Sequence, residues 1–302
     1  MKFTKYHVLL HLIIFMWGFT GILGKLIHLD SYILVWHRVL IALIGLGIYL
    51  VIKKTAIKIK SKKDLLTLCV VGIFVALHWI TFYKSIQLST ASLGILCLST
   101  TTLHVSWLDP IIMKRKFSWL EFLFGLLVIV GIYIVSSDFS AKDYEALIWG
   151  LSSALFAGLF AVFNGKLVQT VSSPIITLYE MGIGLLFLTG ILIFQGKFST
   201  EALFTMTLSD FLWLLFLGLL CTSFAFLATI EVVKRLGAFT VSLSINLEPV
   251  YTILLAIVIL NENELLGAKF YIGAVIIILV VLANGLVKNL MTKKTTIIHD
   301  EN

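Results

Sequence analysis

Ten apolar runs, each about the length that crosses a bilayer, take up almost the whole chain. They fall near residues 7–27, 32–52, 65–84, 91–113, 118–136, 145–165, 175–195, 210–230, 238–259 and 266–287. A helix needs about 20 apolar residues to cross a hydrocarbon core roughly 30 Å thick, and lipid offers no partner to an unpaired backbone amide. Runs of this length therefore read as helices rather than strands. Composition agrees: 60% of the 302 residues are hydrophobic, only 13% are charged and the mean hydropathy is +1.06, far from that of a soluble domain. The expectation is an all-α membrane protein with ten transmembrane helices.

The 23 Lys and Arg residues orient it. One side of the membrane receives 17 of them: Lys2 and Lys5, the clusters at 53–63 and 114–116, Lys166, Lys234 with Arg235, and Lys288, Lys293 and Lys294. The other side receives Lys25, Lys84, Lys142, Lys197 and Lys269, and Arg38 lies inside a span. Basic loops stay cytoplasmic, so both termini are expected in the cytoplasm of a cell (inner) membrane protein. The net charge of +7 is then a matter of topology and calls for no nucleic-acid partner. The first span opens like a signal peptide but lacks a small-residue cleavage site, so it is expected to be retained. Cys69, Cys97 and Cys221 lie within spans without CxxC spacing, which suggests neither a disulfide framework nor a metal site. Trp36, Trp119, Trp149 and Trp213 fall near span ends, where an amphipathic ring suits the headgroup region.

The chain also reads as two copies of one unit. Gly24-Lys25-Leu26 at the end of span one is answered by Gly165-Lys166-Leu167 at the end of span six; Asp109-Pro110 by Glu248-Pro249; and the pair Gly125/Gly131 by Gly267/Gly273. The implied division is 1–140, 141–290 and a cytoplasmic tail 291–302. Five spans per copy is an odd number, so the second copy must enter the membrane upside down. That gives two inverted-topology five-helix repeats.

The stretch Phe82-Tyr83-Lys84-Ser85-Ile86-Gln87-Leu88-Ser89-Thr90-Ala91-Ser92, followed by the span ending in Asp109-Pro110, resembles the first EamA repeat of the drug/metabolite transporter superfamily. The second repeat is resembled by Arg235-Leu236-Gly237-Ala238-Phe239-Thr240-Val241-Ser242, followed by Glu248-Pro249, Asn261-Glu262 and the Gly267/Gly273 span. The resemblance implies a ten-span carrier of small organic molecules, often moving them outward, and names no substrate.

Polar residues deep in spans cost about 2.5–3.5 kcal/mol each on insertion scales when charged, so they usually face a cavity or a partner. Arg38, beside His37, lies about six residues inside span two, roughly 9 Å by helical rise. Its planar fork suits a substrate carboxylate or phosphate, or it snorkels outward. Glu180 holds the matching place in span seven, near the inner face, as a candidate for coupling or gating, or sits at a wet interface. His78, Trp79 and Tyr83 in span three, with Thr100, His104 and Trp107 in span four, suggest an aromatic, hydroxyl-bearing cavity wall. Plain interhelical packing is the competing account. Asn164 and Asn246 could donate to substrate or bridge helices. Pro110 and Pro249 can kink their spans for gating, and Glu248 is the candidate proton-linked carboxylate.

No GxxxxGK[ST] run is present, nor HExxH or GxSxG, and span one holds no acidic residue of the kind that couples transport in small multidrug resistance proteins. No cofactor is expected. The reading is a secondary transporter, with export as its direction, of small organic metabolites such as amino acids, alternating around a central cavity. The proton is the candidate coupling ion. The alternatives are an intramembrane enzyme and a channel without alternating access. A monomer suffices, and a dimer is left open.

Overall fold

The computed structural model describes residues 4–300, apart from the side chains of 138, 238, 239, 242, 243 and 288–300. The helices are α1 (Lys5–Leu26), α2 (Ser31–Ile52), α3 (Lys62–Leu88), α4 (Ala91–Met113), α5 (Trp119–Val135), α6 (Ala141–Leu167), α7 (Ser173–Phe194), α8 (Leu208–Leu236), α9 (Ala238–Ile245 and Glu248–Leu260) and α10 (Ala268–Asp300). A single turn, Thr200–Phe204, lies between α7 and α8. There is no strand among the described residues. Eight of the helices are long and apolar enough to cross a membrane; α5, with 17 residues, and the 13-residue second segment of α9 are shorter. The backbone of the expected tail stays helical to Asp300, while Lys2 and the side chains of Lys288, Lys293 and Lys294 lie outside the described residues.

Short polar residues start the helices where the sequence turns from loop to apolar run. Asp30 accepts from Tyr32 N, Ser61 from Asp64 N and Thr90 from Leu93 N, each relieving an amide that the helix itself leaves unpaired. Ser140 with Asp143, and Thr207 with Asp210, form reciprocal capping boxes on α6 and α8. The lipid-facing surface keeps amphipathic rings at its ends: Trp119 and Tyr133, near opposite ends of α5, are 71% and 76% exposed. Trp36 departs from that expectation. It is 8% exposed and its Nε1 donates to Thr189 Oγ1 of α7, so it is a packing residue.

Helix pairing follows a two-fold pattern. α3 packs on α6 as α8 packs on α1; α3 packs on α7 as α8 packs on α2; α4 packs on α6 as α9 packs on α1. The pairs α2–α7, α4–α9 and α5–α10 join corresponding helices of the two halves. The closest approaches repeat too. A Cβ on Gly72, the eleventh residue of α3, would meet Ile183 Cβ at 2.8 Å and the Glu180 carbonyl at 3.1 Å. A Cβ on Gly218, the eleventh residue of α8, would meet Ile41 Cβ at 2.7 Å and the Arg38 carbonyl at 3.2 Å. Arg38 and Glu180 are each the eighth residue of their helices, so the two notches are the same contact made twice.

Two sequence correspondences do not hold in register. Gly267 is exposed ahead of α10, whereas Gly125 is buried inside α5 against Leu103. Measured from the helix starts, Gly273 falls within one residue of the place of Gly125. Pro110 lies far along α4, close to its end, whereas Pro249 opens the second segment of α9. The loops joining these helices differ in length between the halves, which shifts a fixed sequence offset.

The α5–α10 seam rests on Gly131 and Gly273. A Cβ at Gly273 would stand 2.6 Å from the Gly131 carbonyl and 3.1 Å from Val135 N, backbone atoms that cannot yield cheaply. Gly273→Leu should lower stability by about 1–3 kcal/mol, the usual cost of overpacking, read as a lower unfolding midpoint in detergent. Gly190→Ala, with no atom within 4 Å of the added Cβ, should not lower it.

Candidate functional site

Arg38 organises the polar core of the first half. It is 4% exposed, with Nε donating to Thr222 Oγ1 at 3.1 Å and Nη1 to the Tyr83 hydroxyl at 3.1 Å. Its guanidinium lies 4.0 Å from the centre of the Trp79 ring, a cation–π contact that strengthens away from water. Three helices thus hold one cation: α2 carries it, α3 gives the ring and the phenol, and α8 gives the hydroxyl. Glu248 opens the second segment of α9, and no ion pair joins it to Arg38.

Thr222 belongs to a π-helical stretch, Phe216–Phe224, inside α8. Its hydroxyl donates to the Leu217 carbonyl, and Ser223 Oγ donates to the carbonyls of Gly218 and, across the helix contact, Ala42. Hydroxyls that bond carbonyls five residues back help the widened turn satisfy its backbone, and such bulges often mark functional sites. A narrow crevice of about 10 Å³ opens beside it, between Ala42 and Leu46 of α2, Thr177 and Met181 of α7, and Thr222 and Phe226 of α8. That is far below the roughly 300–1,000 Å³ of most ligand pockets. Side chains expected to line an open cavity are packed against one another here.

Glu180, 5% exposed, forms a second polar centre in the other half: its Oε1 accepts from Asn164 Nδ2 of α6 at 2.7 Å. His78 makes a third contact, with Nδ1 3.1 Å from the Ser153 carbonyl and 2.8 Å from its hydroxyl, between Phe82 and Phe160. This ties α3 to α6. His37 turns away from Arg38. Its Nδ1 bonds the Ile33 carbonyl, its ring packs on Trp36 and Phe204, and its buried Nε2 has no protein partner.

The face proposed for span four is divided. α4 breaks at Thr100, whose hydroxyl donates to the Cys97 carbonyl, with Thr102 doing the same to Ser99. Cys97 lies in the first segment and His104, edge-on to Trp107, in the second. The break lies ten residues ahead of Pro110, which stays inside the second segment; hydroxyls competing for carbonyls account for its place. In α9 the interruption is at Asn246 and Leu247, directly before Glu248-Pro249, as proline chemistry requires.

Several partners were not singled out from the sequence. Thr222 and Ser153 are single hydroxyls in apolar helices, with no local signal. Glu262, 2% exposed, caps α4 by accepting from Ala91 N at 2.7 Å and Ser92 N at 3.1 Å. Beside it Lys25 Nζ donates to the Ser89 carbonyl and Ser89 Oγ to Asp143 at 2.6 Å, while His28 N donates to Asp210 at 2.9 Å. All these links bind helix ends on the Lys-poor face. On the opposite face the hydroxyl of Tyr179 donates to the Ile57 carbonyl.

A family model, EamA-like transporter family, matches residues 4–137 and again 145–285. A relative described as "Uncharacterized transporter YxxF", from Bacillus subtilis (strain 168), is 23% identical over 246 residues, spanning 79% of this chain and 76% of the relative. A solved structure described as "Crystal structure of protein" has the same fold, with a TM-score of 0.64 at 13% identity over 94% of this chain and 98% of the other.

Thr222→Val would leave the Arg38 Nε–H without its acceptor. The expected loss is about 1–3 kcal/mol of stability, read from the unfolding midpoint in detergent. An unchanged midpoint would show that this hydrogen bond does not hold Arg38.

Proposed function

Because one family model matches nearly the whole chain in two successive copies, the chain belongs to the EamA-like transporter family, and we propose that it is a secondary transporter of small organic metabolites such as amino acids. The two copies are inverted repeats of five spans, ten in all, in a cell (inner) membrane with both termini cytoplasmic. The two-fold helix pairing supports this, because an odd number of spans per copy reverses the second. Units correspond to residues 1–140 and 141–290, and one chain suffices as the working unit.

The observation that carries the substrate reading is the buried Arg38. A guanidinium deep in a membrane helix is costly unless it meets an anion, and here it is held in place by neutral groups: a ring, a phenol and a hydroxyl. Its fork is suited to a carboxylate, and the Trp79 and Tyr83 rings to an apolar body. Glu248, at the start of the second segment of α9, suits the ammonium end of a zwitterion. His78, Thr100, His104, Trp107, His37, Asn164 and Asn246 complete the walls in states more open than this one. Pro110, near the end of α4, and Pro249, at the start of the second segment of α9, serve in gating.

Alternating access follows as rocking of the halves about the α2–α7, α4–α9 and α5–α10 seams. In the present conformation helix ends on the Lys-poor, outer face are tied through Glu262, Lys25 and Asp143, while the crevice lies toward the inner ends of α2, α7 and α8. Export is the favoured direction, and neither catalysis nor a continuous pore is needed.

Counterflow in proteoliposomes tests this with labelled amino acids, nucleosides and small organic acids. The reconstituted protein should accumulate at least one anionic or zwitterionic solute. Arg38→Ala should weaken its apparent affinity about 10- to 150-fold, the worth of about 1.5–3 kcal/mol for hydrogen bonds to a charge, with insertion intact. Full transport by Arg38→Ala would remove Arg38 from the site. No flux through folded, inserted protein would contradict the carrier reading for these solute classes.

A further inference from the structure

Resting on the carrier reading above, we propose that Glu180 and Asn164 form a proton-binding site near the inner face, in which the Glu180 carboxylate takes up one proton and donates it to the Asn164 amide oxygen.

Two observations point there. Asn164 Nδ2 donates to Glu180 Oε1 at 2.7 Å, yet Asn164 Oδ1 is buried without a hydrogen-bond partner in the protein. An unpaired buried acceptor beside a buried carboxylate is unfavourable on both counts, and one proton on the carboxylate resolves both. The acid then accepts from the amide N–H through one oxygen and supplies the missing donor through the other. No ion pair does this work, since none of those among the described residues includes Glu180.

The two-fold relation sharpens the point. Glu180 occupies the place of Arg38 in the other half, and the α3 residue corresponding to Thr222 is Ala76, packed 3.6 Å from where a Cβ on Gly184 would sit. Where α8 carries a hydroxyl at this position, α3 carries a methyl group. Around it α3 presents Gly72 and Ala76, with the thiol of Cys69 one turn away. α6 presents Asn164, with Lys166 two residues on. α2 and α8 bring Ala42, Leu46, Thr222 and Phe226 to the crevice that Thr177 and Met181 also line. Cys69 and Lys166 are the titratable groups of this set, and neither is bonded to Glu180.

The consequence is a carboxylate whose charge state tracks conformation. The neutral acid–amide pair suits the packed interior, while the charged form suits a state in which the crevice has opened to water. Opening of the crevice lined by its neighbours Thr177 and Met181 gives the carboxyl access to cytoplasmic water, and rocking of the halves transfers that access to the other side.

The experiment is pH-difference infrared spectroscopy of the full chain in liposomes, with uptake measured in the same vesicles. A protonated-carboxyl C=O band should appear as pH falls, be absent from Glu180→Gln, and move to higher frequency in Asn164→Leu, which removes its hydrogen-bond acceptor. In parallel, the ratio of labelled amino acid uptake with and without an imposed pH gradient should fall to one in Glu180→Gln. A band that persists in Glu180→Gln, or an unaltered uptake ratio, would overturn the proton site and leave the carrier standing. An unmoved band in Asn164→Leu would overturn the shared pair. Wild-type protein without counterflow would defeat the carrier reading alone, because the infrared band decides the proton site without it.

Discussion

The architecture depends on a backbone contact that occurs twice. Gly72 of α3 and Gly218 of α8 lack the side chain that would keep α7 and α2 away, so an isoleucine and a carbonyl of each of those helices sit directly against them. Without a hydrophobic drive between helices in lipid, close approach of this kind is a main source of association. Because the carbonyls belong to Glu180 and Arg38, the same contacts fix the depth and direction of the two charged residues buried at equivalent places in the halves. Packing and chemistry are therefore set by the same four helices.

Lipid then decides how polar groups are spent. Arg38 is shared among a ring, a phenol and a hydroxyl, His78 is tied to Ser153, and Glu262 occupies the amides that begin α4. Beside Glu180, as at His37, one buried polar atom is left without a protein partner. Symmetric places are thus filled asymmetrically, with a guanidinium in one copy and a carboxyl in the other.

Much of this was legible in the sequence, for reasons that differ by residue. Lipid imposes length and apolarity on every span, so the runs announced themselves, and the matching places of Arg38 and Glu180 survived because the loops ahead of α2 and α7, 27–30 and 168–172, differ by a single residue. Beyond α3 and α8 the loops differ, and the pairing of Gly125 with Gly267 failed on that account. The break of α4 at Thr100 was hidden because it comes from hydroxyls choosing carbonyls, whereas the interruption before Pro249 follows from a missing N–H. Arg38, Trp79 and Tyr83 were each visible as costly or amphipathic residues, but Thr222 was not. Its role exists only once the π-helical turn of α8 carries it toward α2.

The central claim is that the halves lie in the membrane in opposite senses, since alternating access around Arg38 and Glu180 follows from that inversion. The most direct measurement is labelling by a membrane-impermeant maleimide of Lys58→Cys, in the α2–α3 loop, and Glu201→Cys, in the corresponding α7–α8 loop, each in a background lacking Cys69, Cys97 and Cys221. Intact cells should label the second position alone, with the first becoming reactive only after permeabilisation. Labelling of both positions from the same side would contradict the inverted architecture and the mechanism built on it.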